Sequence, residues 1–304
     1  MRGRDERQIS KETRQEHSRW SFSRARGGGS AQTETRSPER EPADRNTRTK
    51  DRRETVWFRQ RSYPLRSSEL EAMAEIGKFR MIKIQDLTEF HYQGDRSRAE
   101  QDLRNLTHQG LIRRVRIPLS SGNRVKLVVL TKQGKQLLTG RNQKSDLFRE
   151  QKIYSGFVKQ AEAFHDTAIY RMYQIEKQRI RAEGGTIRRI VLDYELKEKV
   201  FRPLAKAQQL KDADFKRKQE EIAQRHDLPV VEGKIAFPDL RIEYETRECE
   251  RSKIDLEVTT EHYRPGQLLQ KMQTGFKIYF TGSSEGHGST LVEEREITGA
   301  ILSL

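Results

Sequence analysis

Residues 104–117 read Arg104-Asn105-Leu106-Thr107-His108-Gln109-Gly110-Leu111-Ile112-Arg113-Arg114-Val115-Arg116-Ile117. The stretch changes period in the middle. Ala99, Leu103 and Leu106 recur at helical spacing up to Gln109, and Gly110 suits the position just past a helix end, where a left-handed backbone is needed. From Leu111 apolar and basic residues alternate, as on a strand with one wet face. Ser120-Ser121-Gly122-Asn123 then reads as a turn, Arg124–Leu130 as the returning strand, and Thr131 as the cap of a helix running through Leu138.

Upstream, Ser67-Ser68-Glu69-Leu70 starts a helix with serine as its cap, carrying Leu70, Met73, Ala74 and Ile76 and ending at Gly77. Residues 80–83 read as extended, and Ile84–Tyr92 as a second helix with Leu87 and Phe90 inward. Gly94-Asp95 opens the third helix, near Ser97. Three helices, a basic hairpin and a helix follow the order of a winged helix-turn-helix, predicted over residues 67–138. The wording from Arg104 to Arg114 resembles that of MarR-like regulators. In a winged helix the third helix enters the major groove and the hairpin follows the backbone. Arg96, Arg98, Gln101, Asp102, Arg104, Asn105 and His108 would then lie on the reading face, where Arg, Asn and Gln can contact base edges in pairs of hydrogen bonds. Arg113, Arg114, Arg116, Arg124 and Lys126 would supply phosphate contacts from the wing. A winged helix used only to hold protein or to dimerise is the bland alternative.

The whole chain fits that partner. Its 304 residues carry a formal charge of +15, which favours a polyanion. One cysteine, Cys249, supports neither a disulfide framework nor a zinc cluster and suits a reducing compartment. No apolar run reaches the roughly 18–20 residues of a membrane span, and the Arg-rich start lacks the apolar segment of a secretory signal. Asp5, Glu6, Glu12 and Glu16 argue against a transit peptide, so the location expected is cytoplasmic. Residues 1–60 are polar and broken by Gly27-Gly28-Gly29-Ser30, Ser37-Pro38 and Glu41-Pro42, and read as a disordered Arg-rich tail, either a basic arm along phosphates or a solubilising segment. Order is expected to begin near Arg66.

Residues 145–304 read as a second, α/β domain, making the chain α+β overall. Ser145–Ala182 is helical, with a break near Ser155-Gly156, and offers a seam for a homodimer. Ile187–Leu196 reads as a strand, and residues 198–227 as an inserted pair of charged helices with a solvated or partner-binding face. Strands at Phe237–Glu245, Lys253–Thr259 and Phe276–Phe280 follow, with a helix from about Pro265 to Gln273 between the last two. Acidic residues recur along these elements: His165-Asp166, Glu195, Pro238-Asp239 and Asp255-Leu256-Glu257. Asp255 and Glu257 are two apart and share a strand face. With Asp239 alongside, the three carboxylates Asp239, Asp255 and Glu257 would gather round a Mg²⁺ able to assist phosphodiester cleavage. Salt bridges to Arg241, Arg251 or Lys253 are the competing use of the same acids.

This half resembles the PD-(D/E)xK nuclease-like fold, in which Pro-Asp on one strand precedes an acid-x-Lys triplet on the next. Val258-Thr259 stands where the lysine belongs, with Lys253 and Lys271 as displaced candidates. The whole order is similar to the replication-relaxation family of plasmid and mobile-element proteins: a winged helix, a helix bearing His165-Asp166, then Pro238-Asp239, Leu256-Glu257-Val258, Lys271 and Tyr279. That resemblance implies a DNA-binding accessory or regulator in replication or mobilisation, with replication or mobilisation proteins as partners. The missing lysine favours an inactive nuclease-like scaffold over an active endonuclease. The enzyme alternative would use Glu195, Asp239, Asp255 and Glu257, with Lys271 facing the developing phosphate charge. His165-Asp166 lacks the further ligands of an HD phosphohydrolase. Residues 282–289 lack the Lys-Ser/Thr pair of a phosphate loop.

Overall fold

The computed structural model describes residues 52–118, 124–142, 151–157, 160–207, 209, 211–260, 271–281 and 301–303. The tail up to residue 51, the turn at 120–123, the start of the helix expected from Pro265 and the loop at 282–289 lie outside them. The described chain is mixed α+β.

Strand structure is present ahead of Arg66, where order is expected to begin. β1 (Glu54–Phe58), inside the segment expected to be disordered, and β2 (Arg61–Leu65), just beyond it, form an antiparallel hairpin. Tyr63 and Leu65 anchor it in the core, and Tyr63 Oη accepts a hydrogen bond from Gln133 at 2.5 Å. α1 (Ser67–Lys78) follows, capped differently from the serine expected. Arg66 occupies the cap position and its N–H donates to Glu69 Oε2 at 2.8 Å. Ser68 instead donates to Asp102 at 2.7 Å.

β3 (Met81–Lys83), α2 (Ile84–Phe90), α3 (Arg96–His108), β4 (Ile112–Pro118), β5 (Arg124–Leu130) and α4 (Lys132–Asn142) complete the first half. Its antiparallel sheet runs β3-β5-β4. Gly110 sits at φ +71°, and Leu111 N–H returns to Leu106 O, closing α3 as the sequence indicates. In α4, a Cβ on Gly134 would collide with the carbonyl of Leu111. Gly134→Ala is therefore expected to destabilise the fold by about 2 kcal/mol in urea unfolding, because the obstructing atom is backbone and cannot rotate away.

Residues 151–157 are not the helix expected there but a non-helical strap, with Tyr154 N–H on Gly77 O and Gly156 N–H on Leu130 O. The helix α5 spans Gln160–Ala182. β6 stops at Leu192 (Thr186–Leu192), and Asp193 starts α6 (Asp193–Lys206), so Glu195 lies in a first helical turn rather than on a strand. α7 (Asp212–Arg225) and the small hairpin β7 (Val230–Val231) and β8 (Lys234–Ile235) extend the inserted region. β9 (Leu240–Glu245), β10 (Arg251–Thr260), β11 (Lys277–Thr281) and β12 (Ile301–Ser303) finish the chain. The second sheet runs β12-β11-β10-β9-β6, antiparallel from β6 to β10 and parallel from β10 outward. One apolar core passes from Leu65, Ile76 and Leu106 through Phe79 and Tyr170 to Ile242, Val258 and Tyr279. The rings of Phe79 and Tyr170 meet edge to face at 5.0 Å. Among the described residues no helix is long and apolar enough to cross a membrane.

Candidate functional site

Two polar surfaces are built on this frame. The first is α3 with the β4–β5 ribbon. α3 starts at Asp95, whose Oδ1 accepts Arg98 N–H at 2.9 Å, and turns Ala99, Leu103 and Leu106 inward. Asp102 is also fully buried, held by Arg66 at 3.0 Å and by Ser68, so it belongs to the fold rather than to the outer face. Two of the expected reading residues are engaged in the same way. Gln101 Oε1 accepts Arg66 at 3.0 Å, and the Asn105 amide donates to Glu69 at 2.8 Å. Arg96, Arg104 and His108 remain exposed and Arg98 half-buried.

The ribbon sorts its cations by face. Arg116 pairs across the ladder with Lys126, Arg124 lies opposite Pro118, and Arg114 opposite Val128. Side chains two apart share a face, so Arg114, Arg116, Arg124 and Lys126 form one basic surface. That surface meets α3, because Arg114 grips Glu100 at 2.9 and 3.1 Å. The hydrogen bond from Arg114 is the main reason the Glu100 carboxyl titrates below its ordinary range. Arg113 points the other way, on the face where Ile117, Leu127 and Val129 pack with Ala163 of α5. Among the described residues Arg96, Arg98, Arg116, Arg124 and Lys126 have no ion-pair partner.

The second surface lies where β9 begins. The register sets Leu240 opposite Leu256, which brings Asp239 beside Glu257. Asp239 Oδ2 accepts Val258 N–H at 2.8 Å, and Oδ1 faces His165 Nε2 of α5 at 3.1 Å. Glu257 is 1% exposed, with Lys271 Nζ 2.5 Å from Oε1, and its Oε2 has no hydrogen-bond partner among the described residues. Burial, then the like charge of Asp239, push the Glu257 carboxyl up to about 7 against the pull of Lys271. Burial alone would lower His165, but the contact with Asp239 outweighs it and raises the imidazole. Neighbouring Asp166, buried 3.5 Å from Arg80, is pushed up to about 6 by burial.

Glu195 and Asp255 do not join this group. Glu195 pairs with Arg189 and, at 2.9 Å, with Lys199. Asp255 lies opposite Arg241, which holds both its oxygens at 2.7 and 2.9 Å, so the expected cluster of Asp239, Asp255 and Glu257 does not form. Lys253 reaches Asp227 instead of the acids. Among the described residues no group of three or more His, Cys, Asp or Glu is arranged to hold a metal ion. Lys277 and Tyr279 both engage buried Glu176 and serve the core. What forms is His165, Asp239, Glu257 and Lys271. His165 lies 74 residues from Asp239, and its role was visible in sequence only as part of the His165-Asp166 dipeptide.

The raised carboxyl carries a sign. Folded Glu257 keeps its proton to about pH 7, whereas its ordinary value is 4.5, so across that window the folded state binds more protons and stability falls as pH rises. Asp166 acts in the same direction but only up to about 6. Glu257→Gln should therefore flatten the fall between pH 6 and 7 most visibly, measured by urea unfolding at several pH values.

No family model matches the chain. No curated protein matches it. A solved structure described as a possible transcriptional regulator from Methanosarcina mazei Go1 is similar over 41% of this chain and 97% of its own, at 14% identity and a TM-score of 0.22, too loose a superposition to bear on fold or function.

Proposed function

We propose that the protein binds duplex DNA through a winged helix formed by residues 67–138, with α3 in the major groove and the β4–β5 ribbon along the backbone. The observation that carries this reading is the single basic face made by Arg116, Arg124 and Lys126 beside the exposed arginines of α3. Phosphates attract such a face without regard to sequence, and Arg96, Arg98 and Arg104 are the side chains placed to read base edges. The setting this fits is replication or mobilisation of a plasmid or mobile element, by the order of motifs along the chain. A fluorescence-anisotropy titration of a duplex at about 50 and 200 mM salt tests it. Roughly five phosphate contacts predict an affinity loss of about 500-fold between the two. A change under about threefold would contradict it.

A second reading is favoured by Lys271 lying on Glu257. The second half carries a helix, three antiparallel strands interrupted by the inserted region, and a parallel strand after Lys271, an arrangement compatible with the resemblance to a PD-(D/E)xK nuclease-like domain. Asp239 and the unpartnered oxygen of Glu257 supply two carboxylates, a set suited to Mg²⁺, which binds through one or two carboxylates and keeps waters or substrate phosphates. When bound, the ion would polarise a phosphodiester. Lys271 would hold charge at the phosphate, and His165 would fix Asp239. Mg²⁺-dependent nicking of plasmid, lost in Asp239→Ala and Lys271→Met with duplex binding intact, is the result this reading requires. Intact plasmid under those conditions makes the second half a scaffold.

A further inference from the structure

A third polar feature lies at the other end of β6 from Asp239. Lys78 ends α1, Lys177 and Arg181 stand one turn apart on α5, and Arg188 and Arg189 lie on β6; together they line a cavity of about 460 Å³. Gln151 fixes its wall, since its amide both donates to and accepts from the backbone of Ile190. The volume falls within the range of small-ligand pockets, roughly 300–1,000 Å³.

Charge decides the class of ligand. Glu75 faces Lys78 at 3.2 Å and Lys177 at 3.9 Å, Glu245 faces Arg188 at 3.2 Å, and Glu195 faces Arg189. Five cations against three carboxylates leave a surplus of two, and Arg181 has no ion-pair partner among the described residues. Cations in the last turn of a helix are ordinarily explained by the helix dipole, which accounts for Lys78 and Arg181. It does not account for two arginines on a strand. Lys177 titrates below its ordinary range, through burial and then, against the pull of Glu75, through Arg181 and Lys78. A ligand carrying negative charge would relieve that crowding.

We propose that this cavity binds the terminal phosphate of a nucleotide. A phosphomonoester carries about two negative charges at neutral pH, which matches the surplus, and its oxygens suit a mixture of arginine forks and lysine points. The rest of the volume takes the attached sugar and base. The phosphate comes either from a free nucleoside monophosphate or from the phosphorylated end of a strand. This assignment stands apart from where duplex DNA sits and does not depend on the α3 surface.

The test is calorimetry on the full chain with four probes: a nucleoside 5′-monophosphate, the same nucleoside, and a tetranucleotide with and without a 5′-phosphate. Saturable binding of the phosphorylated probes alone is expected, weakened at least tenfold in Lys177→Gln/Arg181→Gln/Arg188→Gln. The circular dichroism and duplex affinity of that variant serve as its folding control. Should the variant not fold, the single change Arg181→Gln, at an exposed position, replaces it with an expected threefold or greater loss. Equal affinity for the monophosphate and the phosphorylated strand identifies a free nucleotide. A clear preference for the strand identifies a DNA end. Binding that ignores the phosphate, binding unchanged in the variants, or binding lost instead in Arg116→Glu/Lys126→Glu would each overturn the proposal. The last outcome would move the site to the β4–β5 ribbon, and so separates this inference from the reading of duplex binding.

Discussion

Arg116→Glu/Lys126→Glu is expected to weaken duplex binding on the order of 100-fold, about 2.8 kcal/mol, and to lower the slope of log affinity against log salt by about two. The two residues are cross-strand partners on the outward face of the ribbon, and neither is ion-paired among the described residues. Their reversal should change stability by no more than about 0.5 kcal/mol, since nothing in the core depends on them. Arg113→Glu provides the internal comparison. It reverses one charge rather than two, on the opposite face, and should alter affinity less than about threefold. Arg98→Glu/Arg104→Glu, by contrast, should erase preference for a selected site while leaving much of the salt-dependent binding in place.

Arg241→Leu is expected to cost about 3–5 kcal/mol of stability in urea unfolding. Its guanidinium is 6% exposed and serves three partners at once: both oxygens of Asp255, the His226 carbonyl at 2.7 Å and the Asp227 carbonyl at 2.9 Å. Leucine would leave a largely buried carboxylate and two carbonyls without their donor. Replacing both members, Arg241→Leu/Asp255→Leu, should recover part of that loss, because the stranded charge disappears with its partner. A single-variant cost under about 1 kcal/mol would mean that solvent reaches Asp255 readily. It would reopen the metal-ligand role that the pairing with Arg241 now fills.

Much of the first half is legible in the sequence because its signals are local. Ala99, Leu103 and Leu106 set a helix face, Gly110 supplies a backbone that few residues adopt, and the alternation after Leu111 fixes a ribbon. The face of each ribbon cation follows from parity as well, so Arg113 and Arg114 cannot serve the same surface. The hairpin at 54–65 was hidden because its turn uses Arg59 and Gln60 at φ 48° and 62°, where glycine or asparagine would announce it. The end of β6 was blurred because Leu192, Tyr194 and Leu196 keep an alternating pattern into the first turn of α6.

At the carboxylate site the acids were visible and their partners were not. Pro238-Asp239 and Leu256-Glu257-Val258 stand out as strings, but the removal of Asp255 depends on the β9–β10 register that puts Arg241 opposite it. Asparagine and glutamine at positions 105 and 101 read as base readers from their residue type and their place on the third helix. Their engagement with Glu69 and Arg66 arises only once α1 packs on α3.

The central claim concerns which face of one ribbon meets DNA, and cross-linking tests it most directly. With the exposed Cys249 changed to serine, a photo-cross-linker is attached through cysteine at position 116 in one variant and at 113 in another. The account predicts strong cross-links to duplex from position 116 and few from 113, although the two sites are only three residues apart. Equal yields, or a preference for 113, would contradict it.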